Sequence, residues 1–412
     1  MKRLQAYKFE LMPNGEQTRS MRRFVGACRF VYNRALAWQK EQYELNPKIK
    51  FSYLVLQNQL PNLKKDEQTS WLKEIPSQAL QCALRDLESA YKNFFAKRAS
   101  FPRFKKKGVR DSYRYPQGFK VEECNNRLFL PKLGWVRYRK HRNIEGIPKN
   151  LTISQQGGKW YASIQTEREV ETPLHPSTTA AGIDVGVAKF ATLSSGEIFE
   201  PKNSFRNKVQ RLARYQRAMS RKTKFGKNWQ KAKRKINKLH TTIANIRRDY
   251  LHKTSTAISK NHAMIVIEDL QIRNMSKSSK GTSEKHGKNV KAKSGLNKSI
   301  LDQGWFEFRR QLEYKQTWRG GYVIAIPPQY TSQKCSCCGH VSRDNRMTQA
   351  KFECVVCGHS ENADINAARN ILAAGHAVLA CGETVQSDRS VKQEPTEGIA
   401  LSQREPVGSP VL

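Results

Sequence analysis

The chain has 412 residues, 38% of them hydrophobic, with 74 Lys and Arg against 35 Asp and Glu and a formal net charge of +39. That length allows roughly two to four domains of about 100–200 residues, and so strong a positive field, which repels itself in a compact state, points to a polyanionic partner and away from a protein made basic only for solubility. No apolar run of about 18 residues is present, which excludes a membrane-spanning helix. The start, Met1-Lys2-Arg3, lacks the apolar core of a signal peptide. Nine cysteines, four of them in two close pairs and Cys28, Cys82, Cys124 and Cys381 scattered, suit a reducing, cytoplasmic setting and a metal site, not a disulfide scaffold.

Residues 4–11 alternate, with Tyr7, Phe9 and Leu11 on one side and Lys8 and Glu10 on the other, and predict a strand. Pro13-Asn14-Gly15 breaks it, and Met21, Phe24, Cys28, Val31, Ala35 and Trp38 follow at helical spacing. A second helix is expected after Pro76-Ser77, with Ser77 as its N-cap and Leu80, Leu84, Leu87, Tyr91 and Phe94 on one face. Ser77, Gln78 and Gln81 fall on its polar face, where short amides and hydroxyls can bond base edges; a solvated helix start is the alternative. The helix runs into a basic turn carrying Arg103, Lys105 and Lys106.

From about Ser112 to Val170 short strands are expected, with hairpin turns at Asn125-Asn126 and at Gln156-Gly157-Gly158-Lys159. Strand 4–11 would join them, making 1–11 plus 109–178 a small β-barrel and 12–108 a helical insertion within it. Residues 202–253 hold eighteen Lys or Arg and one acid, Asp249, over a near-heptad stripe of Val209, Leu212, Met219, Ile236, Leu239, Ile243, Ile246 and Tyr250. Two antiparallel helices broken near Thr223–Gly226 fit this pattern. Their uncompensated cations, among them Arg211, Arg214, Lys231, Lys233, Arg234 and Lys235, repel one another on a solvated face and are relieved by a phosphate backbone. The Ser/Lys/Gly/Asn-rich stretch 274–299 is expected as a mobile loop, and the polar tail, 381–412, as disordered.

Cys335 and Cys338, then Cys354 and Cys357, repeat a two-residue spacer with a glycine after each pair and fifteen residues between the pairs. Four thiolates so spaced suit one tetrahedral Zn²⁺, and a closed four-cysteine site is structural. Cys337 offers an alternative to Cys338, which the repeated spacer and the following glycine favour.

Three acids stand far apart in sequence. Gly182-Ile183-Asp184-Val185-Gly186 leads into Phe190–Leu193 and the turn Ser195-Gly196, a hairpin whose first strand carries Asp184 among apolar neighbours; Glu268 and Asp269 end the buried-type strand Ala263–Asp269; Asp364 opens a helix with Ala367, Ala368, Ile371 and Leu372 available for packing. A carboxylate at the end of a buried strand needs a partner or a metal. Converging carboxylates can hold two divalent cations about 3.5–4 Å apart, one activating water and one stabilising the leaving oxygen of a phosphodiester. Asp269 is the weaker candidate, because alternation points it to the face opposite Glu268.

Taken together, Arg29-Phe30-Val31-Tyr32-Asn33, Ala90-Tyr91-Lys92-Asn93-Phe94-Phe95, Gly182–Gly186, Glu268-Asp269-Leu270, Tyr330-Thr331-Ser332-Gln333, the cysteine pairs and Asp364–Asn370 resemble the TnpB/OrfB family of insertion-sequence proteins, relatives of the type V CRISPR effectors. The resemblance covers roughly residues 4–380. It implies an α/β (α+β overall) protein: a RuvC-like RNase H fold at 179–328 plus 359–380, an inserted zinc ribbon at 329–358, and the barrel with its helical insertion before them. It further implies DNA cleavage with Mg²⁺ by Asp184, Glu268 and Asp364, a guide RNA transcribed from the element's end, and double-stranded target DNA beside a short motif read by the N-terminal half. A monomer is the favoured state. A nuclease-inactive RNA-guided repressor would be signalled by loss of one of the acids, and all three are present; a plain zinc-ribbon DNA-binding protein leaves them unexplained. A strand-transferring transposase is a further alternative, but the fold resemblance points to cutting only.

Overall fold

The computed structural model describes residues 1–381, so the tail from Gly382 onward lies outside the described residues. Two β-sheets organise the chain.

The first is antiparallel and seven-stranded, in the order β2-β6-β7-β1-β5-β4-β3. Its strands are β1 (Lys2–Met12), β2 (Ser112–Tyr115), β3 (Lys120–Glu122), β4 (Arg127–Leu130), β5 (Gly134–Tyr138), β6 (Ile147–Gln156) and β7 (Lys159–Glu169). β1 pairs with β7 from Lys2↔Glu169 to Leu11↔Trp160, and its two-residue period buries Tyr7, Phe9 and Leu11. Gly157 and Gly158, at φ +60° and +87°, make the tight turn between β6 and β7. The expected barrel is not a closed ring of ladder hydrogen bonds: its edge strands β2 and β3 do not pair. Tyr115 of the edge strand β2 reaches across the gap, its hydroxyl donating to Pro131 O just past β4 at 3.1 Å.

Between β1 and β2 lie α1 (Gly15–Leu45), α2 (Tyr53–Lys65) and α3 (Ser77–Phe95). Asn14 and Gln17 form a capping box at the start of α1, which buries Met21, Phe24, Cys28, Val31 and Ala35 as their spacing predicts. The helix α3 buries Leu80, Leu84, Leu87 and Tyr91. Ser77 is not its N-cap. Pro76 occupies that position without a side-chain cap, and Ser77 Oγ instead accepts from Lys64 Nζ on α2 at 2.6 Å.

The second sheet runs β10-β9-β8-β11-β12, from β8 (Ala180–Asp184), β9 (Ala191–Leu193), β10 (Ile198–Phe199), β11 (Met264–Glu268) and β12 (Tyr322–Ile326). β8, β9 and β10 form an antiparallel meander, and β11 and β12 extend it in parallel. The helices around it are α4 (Val209–Ser220), α5 (Lys227–Asn261), α6 (Ile272–Met275), α7 (Val290–Gln303), α8 (Trp305–Arg319) and, after β13 (Lys351–Glu353) and β14 (Ser360–Asn362), α9 (Ala363–Ala380). Alternation divides the sheet between two cores. Ile183, Ile265 and Ile267 pack with Leu251 and Ile258 of α5 and with Phe308 and Leu312 of α8. Met264, Val266, Ile324 and Ile326 pack with Ile371 of α9 on the other face. This three-layer α/β arrangement fits a RuvC-like core.

The basic segment forms the expected helical hairpin, α4 against α5, joined by Leu212, Ile236, Leu239 and Ile243. Asp302, a buried acid near the end of α7, anchors its base. The carboxylate accepts from Ser204 Oγ at 2.9 Å, from the backbone N–H groups of Phe205 and Arg206, and from Arg247 of α5 at 3.2 Å. The stretch 274–299 is therefore not wholly loop, since α7 begins at Val290. Ile300 is buried, and Lys293 and Asn297 bond back to Met275 O and Ser276 O at 2.8 and 3.0 Å.

Candidate metal centre and active site

The sheet's own alternation brings two of the three acids together. Register pairs Ile183 with Ile267 on parallel β8 and β11, so Asp184 and Glu268 are the next residues on neighbouring strands and face the same side. Since Ile183 and Ile267 point to α5 and α8, both acids point to the α9 face. Asp364 waits there, in the first turn of α9, whose N-cap Asn362 accepts from Asp364 N at 3.0 Å. Close approach makes this possible: a Cβ on Gly182 would stand 2.1 Å from Ala368 O of α9.

The charges interact. The Asp184 carboxyl is pushed up to about 7, first by burial, then by Glu268 and Asp364. Burial likewise raises Glu268, partly offset by the Thr331 hydroxyl, which donates to Glu268 Oε1 at 2.7 Å. Arg346 donates to Asp364 Oδ1 at 3.1 Å. Asp269 faces away and pairs with Arg309 of α8, as alternation requires.

Next to these acids stands the ribbon. Sγ atoms of Cys335 and Cys357 are 3.7 Å apart, those of Cys338 and Cys354 are 3.6 Å apart, and all four lie within 4.8 Å of one another. Zn–S bonds of about 2.3 Å at tetrahedral angles give sulfur edges of about 3.8 Å, so the cluster fits a Zn²⁺ ion. Cys338 is in the cluster and Cys337 is not. Each pair is a turn of the same build: Cys335 and Cys354 donate their N–H to His340 O and His359 O, and Gly339 and Gly358 close back on them at φ +77° and +70°. The Cys354 thiol is held down to about 6, first by the backbone N–H of Cys357.

Ribbon and acids share one frame. Buried Asn366 donates to Lys334 O and accepts from Ser336 N, both at 2.9 Å, and Asn370 donates to Thr331 O at 3.0 Å. These bonds sew segment 331–336 to α9, setting Thr331 on Glu268 and Cys335 beside the first turn that carries Asp364. Thr331, Asn366 and Asn370 all sit in motifs legible in the sequence, but their roles needed the fold. Arg346 and Asp302 had no such signal.

The residues expected to meet nucleic acid are more scattered. Arg103 and Lys106 are exposed, as are Arg211, Arg214, Lys231, Lys233, Arg234 and Lys235 along the hairpin. Lys105 is tied down by Asp86 at 3.4 Å and by the Tyr32 ring. Gln78 and Gln81 are half-buried, and Ser77 is engaged by Lys64.

Three family models match the chain: a probable transposase over residues 163–279, a Cas12f1-like TNB domain over 305–371, and a helix-turn-helix domain over 1–48. Residues in the last match form β1 and the single helix α1. InsQ of Escherichia coli, described as a proposed RNA-guided DNA endonuclease, is 64% identical over 399 residues, 97% of this chain and 99% of its own. The chain belongs to the TnpB/OrfB family. A further relative, from Streptomyces pristinaespiralis and described in the same terms, is 37% identical over 96% of this chain and 97% of its own. A cryo-EM structure of a Cas12f1–sgRNA–target DNA complex shares the fold of this TnpB chain. Its TM-score is 0.52 at 12% identity, covering 90% of this chain and 98% of that one.

Proposed function

We propose that this TnpB-family chain is an RNA-guided DNA endonuclease of a transposable element, with Asp184, Glu268 and Asp364 as its catalytic residues. The convergence of these acids from β8, β11 and α9 carries the reading. Burial and then repulsion raise Asp184, with Arg346 among the groups that offset its charge, and the all-oxygen donor set suits a hard cation such as Mg²⁺. Magnesium bound there supplies activated water and charge neutralisation at the scissile phosphate. The protein's part is to hold the carboxylates: Thr331 orients Glu268, Asn362 fixes the first turn under Asp364, and the zinc ribbon keeps segment 331–336 against α9.

The exposed cations of α4 and α5 would carry the RNA and its heteroduplex, with sequence choice delegated to base pairing and one short motif left to the N-terminal half. This gives RNA holding to the α4–α5 hairpin, motif reading to the N-terminal half, cutting to the acids of the second sheet and α9, and target engagement to the ribbon, in a chain acting on DNA in the cytoplasm. Among the described residues no helix is long and apolar enough to cross a membrane. A nuclease-inactive repressor is disfavoured because all three acids are present and brought together.

The test is direct. Asp184→Ala, Glu268→Ala and Asp364→Ala should each abolish cutting in Mg²⁺ while nucleic-acid binding survives. RNase treatment should remove target-specific cutting, and exchanging the guide segment should redirect it. Three alanine variants that all cut normally, or RNA-free protein that cuts one fixed sequence, would overturn the assignment.

A further inference from the structure

The tip of the basic hairpin carries an aromatic pair that no core of the described residues uses. Phe225 is 67% exposed, and its ring meets Trp229 edge-on at 5.5 Å between centroids. Its backbone lies at φ +68°, a conformation disfavoured for a bulky side chain. Two bonds hold it there: Gln230 Nε2 donates to Phe225 O at 2.9 Å, and Gly226 N to Thr223 O at 3.0 Å. The fold thus fixes an apolar ring in solvent. Cations flank it, with Lys224 Nζ 5.4 Å from the Phe225 ring and Lys233 Nζ 4.9 Å from that of Trp229.

We propose that Phe225 and Trp229 form a stacking platform for an unpaired base of the RNA, with Lys224 and Lys233 meeting the adjoining phosphates. Exposed aromatic rings set among cations match the two parts of a single-stranded nucleotide, its π-face and its charged backbone. From Lys202 to Arg248 the chain has no acid, so a second copy of this tip or a basic protein surface is repelled. The 35 residues of α5 put the tip about 50 Å from the helix end that leads into β11 and Glu268, too far to serve the strand being cut. A target strand paired with its guide offers no free base face, whereas loops of a folded RNA do. The inference rests on the RNA-guided reading above.

Its test uses the RNA extracted from purified wild-type protein, refolded and end-labelled. Phe225→Leu combined with Trp229→Leu keeps apolar bulk and should weaken binding of this RNA about ten- to hundredfold, with the slope of affinity against salt unchanged. Trp229→Phe alone should bind nearly as wild type. Lys224→Gln with Lys233→Gln should instead lower the salt slope by about two. Thermal melting of each variant confirms that it is folded. RNA held equally by wild type and by the double leucine variant overturns the platform and leaves the guided nuclease standing, as does a loss confined to target DNA. Wild-type protein that holds no RNA overturns both.

Discussion

Thr331 donates its hydroxyl hydrogen bond to Glu268 across 63 positions of sequence, at 2.7 Å. Its own carbonyl is held by Asn370 of α9 at 3.0 Å, so the orientation of one acid is set by the helix that carries another. A hydrogen bond to a charged group contributes about 1.5–3 kcal/mol. Thr331→Val keeps the shape and removes the donor, and should slow single-turnover cleavage at least tenfold with RNA and DNA affinity unchanged. Thr331→Ser should retain most of the rate. Wild-type cutting by the valine variant would show that the hydroxyl does not position Glu268.

Asp184 sets function against stability. Burial, then Glu268 and Asp364, push its carboxyl from the ordinary 3.8 up to about 7, so folding favours the protonated form. The destabilisation is therefore full above about pH 7 and is relieved as the pH falls toward 4. Asp184→Asn imitates the protonated acid. In chelator at pH 8 it should raise stability by a few kcal/mol, and at pH 4 the gain should vanish, while cleavage is lost throughout. Urea unfolding at the two pH values measures this, and equal stability of the two proteins at pH 8 would contradict the burial and repulsion argued for Asp184.

The sequence made the acids legible because each ends a strand or opens a helix with strongly patterned neighbours. Alternation even separated Glu268 from Asp269, which pairs with Arg309. The ribbon was legible from spacing alone, down to Cys338 over Cys337. Other features depend on partners that local pattern does not reveal. Ser77 follows a proline as a cap would, yet Lys64 of the unforeseen helix α2 claims its hydroxyl. Residues 290–299 look like loop by composition, and only the buried Ile300 and Asp302 beyond them explain the helix. Barrel closure likewise depends on which edges pair, a long-range matter that strand patterns leave open.

The ribbon predicts opposite outcomes for two of its cysteines. Cys354→Ser removes a sulfur from the tetrahedron and should release zinc, loosening segment 331–336 and, through Asn366 and Asn370, the frame that holds Thr331 and Asp364. Cleavage should fall with the metal. Cys337→Ser, outside the cluster, should keep one zinc per chain and full activity. Metal analysis of both variants decides it, and zinc lost from Cys337→Ser with Cys338 intact would reverse the ligand assignment.

Gly182 sets the distance between the sheet and α9. A Cβ there would lie 2.1 Å from Ala368 O, 2.7 Å from Leu372 N and 2.9 Å from Leu372 Cβ. Two of these are backbone atoms, which cannot rotate aside, so Gly182→Ala must push β8 and α9 apart. Asp184 is two residues further along that strand, and Asp364 is one turn earlier on that helix. Overpacking of this kind destabilises by about 1–3 kcal/mol, enough to lower the melting temperature while leaving a folded protein. Its effect on the chemistry should be larger, because misplacing a reacting group by about 1 Å can lower a rate about 10²-fold. Gly295→Ala is the contrast: it sits inside α7 with nothing within 4 Å of the new Cβ, and helix propensity should make it up to about 1 kcal/mol more stable with cleavage unchanged. Single-turnover cleavage, corrected for the folded fraction from melting curves, separates the two. A Gly182→Ala protein that is folded and cuts at the wild-type rate would mean that the spacing of β8 and α9 does not set the spacing of the acids.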